Sequence, residues 1–471
     1  IVGSREPLSH PVAKQGTMAA ARSLPALLPG LLLAALSGRP AAGLRMDGAR
    51  SVMPREERRA VAVAPGPPML DTWEEPRHSD CRMSEGSCSL AGMPRSEITK
   101  VYPGGKTRCM FSNNSGYAFA VKPRDEDKLL IFFEGGGACW NGISSAVGAC
   151  YVHTARARPV AGVMDHTVPY NPFRDHTTVF ISACSGDLHA GNVTQTYPDP
   201  SGRPVEQHGY HNVRATLDWI KENMGSRPLS SLTVLGESAG SIGVQVWSAT
   251  LLSELRYERA SVVADSYVGA FPPGFTGPVF QALNVCGTGL LDFNADVRRK
   301  CDTGALTVPD VFEAAMAAFP AVSFGSLDAK YDRVQRDYYK LTGLSMGKPR
   351  ELSPPEFHLN IILILSHYST YPNHGHFLLS SQWHPYAYQV FRNSGDEVAV
   401  ALTGGYAGRM QRRLEAWLTH LERQDGRPGR FCEVLGPERL AERGLAGTED
   451  FCSDVLGGEV LREGAGESVA S

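Results

Sequence analysis

The segment TVLGESAGSIGVQVW, Thr233–Trp247, carries an apolar run into two glycines that flank Ser238, then resumes as an apolar-periodic stretch. The order is strand, sharp turn, helix. A serine on such a turn stands clear at the end of a sheet, because the flanking glycines let the backbone pack closely around it. A second Gly-x-Ser-x-Gly occurs as GLSMG, Gly343–Gly347, so the pattern alone selects neither serine. The residues before GLSMG, DRVQRDYYKLT, are polar and helically spaced, and KPRELSPP follows with prolines that forbid a long helix. Context therefore makes Ser345 a loop serine and Ser238 the candidate nucleophile. The bland alternative for Ser238 is a glycine-flanked turn without chemistry.

Working outward, short apolar runs alternate with amphipathic stretches. KLLIFFEGGG (Lys128–Gly137), TTVFISACSGD (Thr177–Asp187), SLTVLGES (Ser231–Ser238) and RASVVADSYVG (Arg259–Gly269) read as strands. NVRATLDWIKENM (Asn212–Met224) and SIGVQVWSATLLSELRYE, which follows the elbow, read as helices. Such alternation predicts an α/β fold: a mostly parallel central sheet, α/β-hydrolase-like, with helices on both faces and insertions. Ligands in such sheets sit at the carboxyl ends of the strands. The loops EGGGACWNG, SGDLHAGN and GESAGS follow strand ends and should converge on one rim. Further on, VFEAAMAAF, YDRVQRDYYKL and RMQRRLEAWLTHLER read as helices, and LNIILILSHYS (Leu359–Ser369) as a late strand.

The consecutive glycines after KLLIFFE let backbone N–H groups turn toward one point, as an oxyanion needs. Gly136 and Gly137 are the expected donors, joined by the N–H of Ala239 at the start of the helix behind Ser238. Trp140 in the same loop is a supporting candidate. No Gly-Lys-Ser/Thr follows, so this is not a phosphate-cradling loop. The base should be a histidine C-terminal to the serine. The late histidines are His358, His367, His374, His376 and His384. YPNHGHFLL holds two of them after the expected late strand; His376 precedes an apolar run that could anchor it, and His374 is the alternative. A His-x-His metal pair needs further ligands, and none stands at matched spacing. For the acid, Asp265 ends the strand after the elbow helix and Asp332 lies further on in KYDRVQ. Periodicity does not separate the two.

The chain has 471 residues, 42% hydrophobic and 20% charged, with a net charge of −3, which is a globular balance without a basic block for nucleic acid. Its ten cysteines are widely spread and none forms Cys-x-x-Cys, as in a disulfide framework of an oxidising compartment. From Met18, one arginine precedes an apolar core and small residues follow, so 18–43 reads as a secretory signal peptide. That core is too short for a membrane span, and no later stretch reads as one. Residues 1–17 are expected to lie upstream of the mature protein, 44–75 to be a flexible leader, 76–456 the hydrolase-like domain and 457–471 a flexible tail. Asn113 and Asn192 begin glycosylation sequons.

The pieces LLIFFEGGGACWNG, YNPFRDHTTVFISACSGDLHAGN, HGYHNVRATLDWI, VLGESAGS, YDRVQ and NHGHFLL, in this order from about Gly104 to about Leu379, resemble the pectin acetylesterase family, which includes the Notum carboxylesterases. The resemblance implies an α/β-hydrolase with a Ser-Asp-His triad: Ser238 as nucleophile, Asp332 as acid, His376 as base, and Gly136, Gly137 and Ala239 as oxyanion donors. Asp265 becomes a supporting residue. The chain departs from the family at Glu237, where threonine, cysteine or aspartate is common, and from Pro272 to Leu327, which matches poorly. The family's disulfides suggest the pairs Cys139–Cys150, Cys286–Cys301 and Cys432–Cys452. The implied activity is hydrolysis of a carboxylic ester without metal or organic cofactor, by a secreted enzyme acting on an acylated polysaccharide or other ester. Acetyl removal is the default expectation; removal of a fatty acyl group from a protein and an idle scaffold that only binds are the alternatives. The oligomeric state is not readable.

Overall fold

The computed structural model describes residues 77–111, 116–150, 155, 161–199, 202–388, 390, 404–434, 436–442, 444–446, 452 and 459–462. The run LLIFF forms the end of a strand buried on both faces, which is why it is continuously apolar rather than alternating. In chain order the strands are β1 (His78–Arg82), β2 (Ile98–Tyr102), β3 (Phe119–Lys122), β4 (Asp125–Phe133), β5 (His176–Ile181), β6 (Val193–Thr194), β7 (Glu206–Gln207), β8 (Ser231–Glu237), β9 (Ala260–Asp265), β10 (Ser323–Ala329), β11 (His374–Leu379), β12 (Arg430–Val434) and β13 (Glu459–Arg462). The helices are α1 (Gly142–Ala146), α2 (Gly209–Met224), α3 (Ala239–Glu254), α4 (Thr276–Ala282), α5 (Ala295–Asp302), α6 (Val308–Ala318), α7 (Arg333–Ser345), α8 (Pro354–Tyr368), α9 (Gly404–Arg423) and α10 (Pro437–Glu442).

Eleven strands form one sheet in the order β1-β2-β3-β5-β4-β8-β9-β10-β11-β12-β13. Only β3 runs antiparallel to its neighbours. β4, β8, β9, β10 and β11 are adjacent and parallel, so their carboxyl ends share one rim. Alternate side chains of these strands feed two cores. Leu129, Ile131 and Val234 pack with residues of α2, α3, α6 and α8, whereas Leu130, Phe132 and Leu235 pack with Leu414, Trp417, Leu418 and Leu421 of α9. The expected mostly parallel sheet with helices on both faces is present.

Two expectations change. LNIILILSHYS is not a strand but the body of α8. Ser353 and Glu356 form a reciprocal capping box, and Pro354 and Pro355 occupy the first turn, where their missing N–H groups cost nothing. Phe357, Ile361, Leu365 and Tyr368 are buried at helical spacing while Leu359 and Leu363 are exposed. An unbroken apolar run does not distinguish a strand from a helix. The late strand is instead β11, the HGHFLL segment itself. Within the expected tail, Glu459–Arg462 pair with β12 as an edge strand. The signal segment, the leader, Asn113 and the rest of the tail lie outside the described residues.

All ten cysteines are paired. The three pairs suggested by the resemblance are present, together with Cys81–Cys88 and Cys109–Cys184. Cys286–Cys301 staples the poorly matching Pro272–Leu327 region, joining the turn after α4 to α5. Among the described residues, no helix is long and apolar enough to cross a membrane.

Candidate active site

β8 ends at Glu237 and α3 begins at Ala239, leaving Ser238 alone on the turn. Its backbone is left-handed, φ 54° and ψ −123°, a strained conformation for a residue with a Cβ. The flanking residues permit it. A Cβ on Gly236 would collide with the Gly240 carbonyl, and one on Gly240 with the carbonyls of Phe133 and Glu134. α3 thus starts pressed against the end of β4.

The glycine loop after β4 passes directly over the serine. A Cβ on Gly135 would lie 2.9 Å from Ser238 Cβ and 3.0 Å from the Glu237 carbonyl oxygen. Gly136 is half-buried. Gly137 has φ 70°, forms an isolated bridge with Cys150, and a Cβ there would strike Ala149 O and the Tyr338 hydroxyl. His189 holds this loop from behind: its Nε2 donates to Glu134 O at 2.7 Å, and Trp247 Nε1 donates to His189 O at 2.8 Å. Burial pushes the His189 imidazole down to about 4, so it is a neutral donor at pH 7. Trp140 is buried beside the loop, where its Nε1 donates to Ser345 Oγ at 2.9 Å. Ser345 closes α7 rather than standing in a loop, and its hydroxyl also donates to Thr342 O. It is a packing residue, bound at both ends.

Asp332 caps α7, its Oδ1 accepting the Gln335 N–H at 3.0 Å. Its Oδ2 accepts from His384 Nδ1 at 2.7 Å and from Gln335 Nε2 at 3.0 Å. The same Gln335 amide donates to Asp328 Oδ1 at 3.0 Å. Burial pushes the Asp328 carboxyl well above the usual range, against the Gln335 hydrogen bond that lowers it. Burial alone would lower the His384 pKa, but the charge and hydrogen bond of Asp332, with a further contribution from Asp265, carry it above the ordinary value. His384 Nε2 is buried and has no hydrogen-bond partner among the described residues.

The histidine that meets Asp332 is therefore not the one expected from the sequence. His376 lies inside β11, paired with Ser326 and Arg430 in the sheet register, with neither ring nitrogen hydrogen-bonded among the described residues. Burial, helped by the Arg430 charge, pushes it down to about 3. His374, the alternative, is also buried in β11, where its Nε2 meets Ser326 Oγ at 3.0 Å. Neither histidine meets Asp332. Because HGHFLL is the strand, the loop that follows it begins at Ser380, and its histidine is His384 in SSQWHPYAY. Among the described residues, no three His, Cys, Asp or Glu side chains are grouped so as to hold a metal ion.

Five neighbouring strand ends thus bring together the glycine loop, Ser238, Asp265, Asp332 and His384. That constellation can be compared with known proteins. The palmitoleoyl-protein carboxylesterase Notum of Schmidtea mediterranea is 27% identical over 126 residues, 25% of this chain and 23% of that protein. The chain is similar to a Notum carboxylesterase. The similarity agrees with the family resemblance read from the sequence and spans about a quarter of that relative's length. Two crystal forms of the Wnt deacylase Notum from Drosophila align at 16% identity: one at TM-score 0.42 over 64% of this chain and 91% of the other, the second at 0.44 over 62% and 86%. No protein-family model matches.

Beyond the Notum similarity, three residues of the site escaped sequence reasoning. His384 was hidden by the misplaced strand. Gln335 lies one helical turn after Asp332, the spacing at which a side chain reaches back to the cap. His189 could have been found from SGDLHAG, a polar loop at a strand end, although nothing local marks the carbonyl that it binds.

Proposed function

We propose that this chain is a secreted serine carboxylesterase in which Ser238 attacks, His384 transfers the proton and Asp332 orients the imidazole. The observation that carries the reading is the Asp332–His384 hydrogen bond of 2.7 Å on the rim where Ser238 occupies its left-handed turn. Ser238 Oγ bonds to the ester carbonyl carbon and gives its proton to His384 Nε2. The carbonyl oxygen becomes an oxyanion facing the N–H groups of Gly136, Gly137 and Ala239, one such donor being worth ~10²–10³ in kcat. Collapse expels the alcohol, which takes the proton from His384. Water then attacks the acyl-enzyme, again yielding its proton to His384, and the carboxylic acid leaves as Ser238 recovers its proton. Asp332 holds the imidazole tautomer and stabilises the imidazolium throughout.

Similarity to a palmitoleoyl-protein carboxylesterase favours a fatty acyl group on a protein hydroxyl over the acetyl group expected by default from the sequence. The paired cysteines fit an oxidising compartment and support secretion. The test is hydrolysis of p-nitrophenyl esters from acetyl to palmitoyl, and of a serine-palmitoleoylated peptide, by the protein and its Ser238→Ala variant. Expected is hydrolysis with a long-chain optimum, falling by ~10⁴-fold or more in the variant. A Ser238→Ala protein as active as the parent overturns the mechanism. An acetyl optimum with no peptide deacylation overturns the fatty acyl assignment and restores an O-acetylated polysaccharide as substrate class.

A further inference from the structure

We propose that Asp265 is a positioning residue that ties the nucleophile turn to the loop carrying the base, so that Ser238 and His384 are set by one side chain and its own carbonyl. The inference rests on the esterase reading above and concerns how the nucleophile turn and the base loop are held in register.

Asp265 is the last residue of β9, between the strands that end at Ser238 and near Asp332. Its main-chain carbonyl accepts the Ser238 N–H at 2.9 Å. Its side chain faces the other way along the rim. Oδ2 accepts two backbone N–H groups, of Tyr386 at 2.9 Å and Ala387 at 2.6 Å, directly after His384-Pro385. Oδ1 accepts the Ser266 hydroxyl at 2.6 Å. Ser266, in turn, is left-handed at φ 60° and donates its N–H to Leu327 O at 2.7 Å, which fixes the turn to β10. The residue is fully buried, so these bonds are not shared with bulk water.

The base loop leaves the sheet at Ser380, and its geometry needs an anchor close to the imidazole. Two N–H groups on one carboxylate oxygen supply it. A second consequence is electrostatic. The charged groups facing His384 are Asp332, from the start of α7, and Asp265. Asp328 lies beside both carboxylates, with its own carboxyl pushed up by burial, and the Tyr386 hydroxyl of the same loop is pushed up likewise. Burial also raises Asp265, to about 6, opposed by the Ser266, Ala387 and Tyr386 hydrogen bonds and by His384. Above that pH its negative charge favours the imidazolium.

Two variants separate anchoring from charge. Asp265→Asn keeps one acceptor oxygen for Tyr386 and Ala387 but removes the charge. Asp265→Ala removes both. Expected for Asp265→Ala is a ~10²-fold fall in kcat with KM changed less than about threefold, the signature of a misplaced catalytic group. Expected for Asp265→Asn is an acid limb of kcat/KM moved to lower pH, because an imidazole that has lost a neighbouring negative charge deprotonates more readily. The His384 titration in histidine-labelled protein, and hydrogen exchange at the Tyr386 and Ala387 amides, read the same coupling without any substrate. A lowered His384 pKa in the Asn variant, with faster exchange in the Ala variant, supports the tie even if no ester is hydrolysed, in which case the esterase reading alone fails. If Asp265→Ala does not fold, Asp265→Leu, close to the aspartate in shape but without an acceptor, decides by the same amide exchange and kcat. Wild-type amide exchange at Tyr386 and Ala387 together with wild-type kcat, in a folded variant that lacks the acceptor, overturns the proposal; an unmoved His384 pKa in the Asn variant removes only the electrostatic consequence.

Discussion

His376 and His384 lie on either side of the end of β11, and the few residues between them separate two chemical environments. His376 is inside the sheet, with a pKa driven down by burial and no acid at hand. His384 is past the strand end, where Asp332 accepts its Nδ1 and outweighs the same burial. Burial is thus common to both. What differs is the carboxylate: Asp332 stands past the end of β10, where it meets the histidine of the loop that follows β11.

The sharpest way to break this contrast is to exchange losses. On the proposed mechanism, His384→Ala should lower kcat/KM by ~10⁴-fold or more with little change in Tm, since the proton transfer assigned to it occurs in the transition state. His376→Ala should do the reverse, lowering stability by about 2 kcal/mol through a cavity while the folded protein keeps kcat/KM within about threefold. The reverse pattern, His376 essential and His384 dispensable in ester hydrolysis, would falsify the assignment.

A smaller effect comes from pH. His166, His176, His189 and His376 are pushed down by burial, to about 2, 3, 4 and 3, and His374 well down. A base with a depressed folded pKa stabilises above its unfolded value, near 6.5, and loses that stability as pH falls below it, at about 1.4 kcal/mol per unit for each uncompensated proton. Asp187 and Asp265, raised to about 6, and Asp328 act oppositely and gain stability as pH falls. With His211 six histidines are lowered, and with Glu313 and Asp337 five carboxylates are raised, among the described residues; because the histidines' unfolded value lies inside the window, Tm should fall between pH 7 and pH 5. His384, raised rather than lowered, should titrate above its ordinary value, unlike the lowered histidines. A Tm that rises on acidification, or a His376 resonance that titrates near pH 6.5, would contradict the contrast.

The two serine motifs give the smallest test. Ser345 accepts from Trp140 Nε1 and donates to Thr342 O. Ser345→Ala should cost about 1 kcal/mol by leaving the indole N–H unpaired, with measured ester hydrolysis staying within about threefold. A loss as large as that of Ser238→Ala would mean that the two motifs had been read the wrong way round.

Much of the fold was legible because its signals are local. The strand–glycine–serine–glycine–helix order of Thr233–Trp247, the glycine loop after LLIFFE and the strand ending at Asp265 all appear where their neighbours in sequence required. α8 was not legible in the same way. LNIILIL is apolar enough to be buried as either element, and its capping box with two prolines, Ser353 to Glu356, was the overlooked local signal. Reading it as a strand moved the loop after it forward by one element, and so singled out His376 rather than His384, the histidine that meets Asp332.

By itself, the sequence determined the glycine-flanked serine turn, the class of the sheet and the short set of carboxylates and histidines from which a site could be built, since glycine spacing, hydrophobic period and residue chemistry act over a few positions. The tertiary structure decided which histidine meets Asp332, that Asp265 reaches both the Ser238 amide and the base loop, and that Cys109 finds Cys184. Those choices depend on which strand ends lie side by side, and adjacency across a parallel sheet is set by the packing of whole elements, with no trace at any single position in the chain.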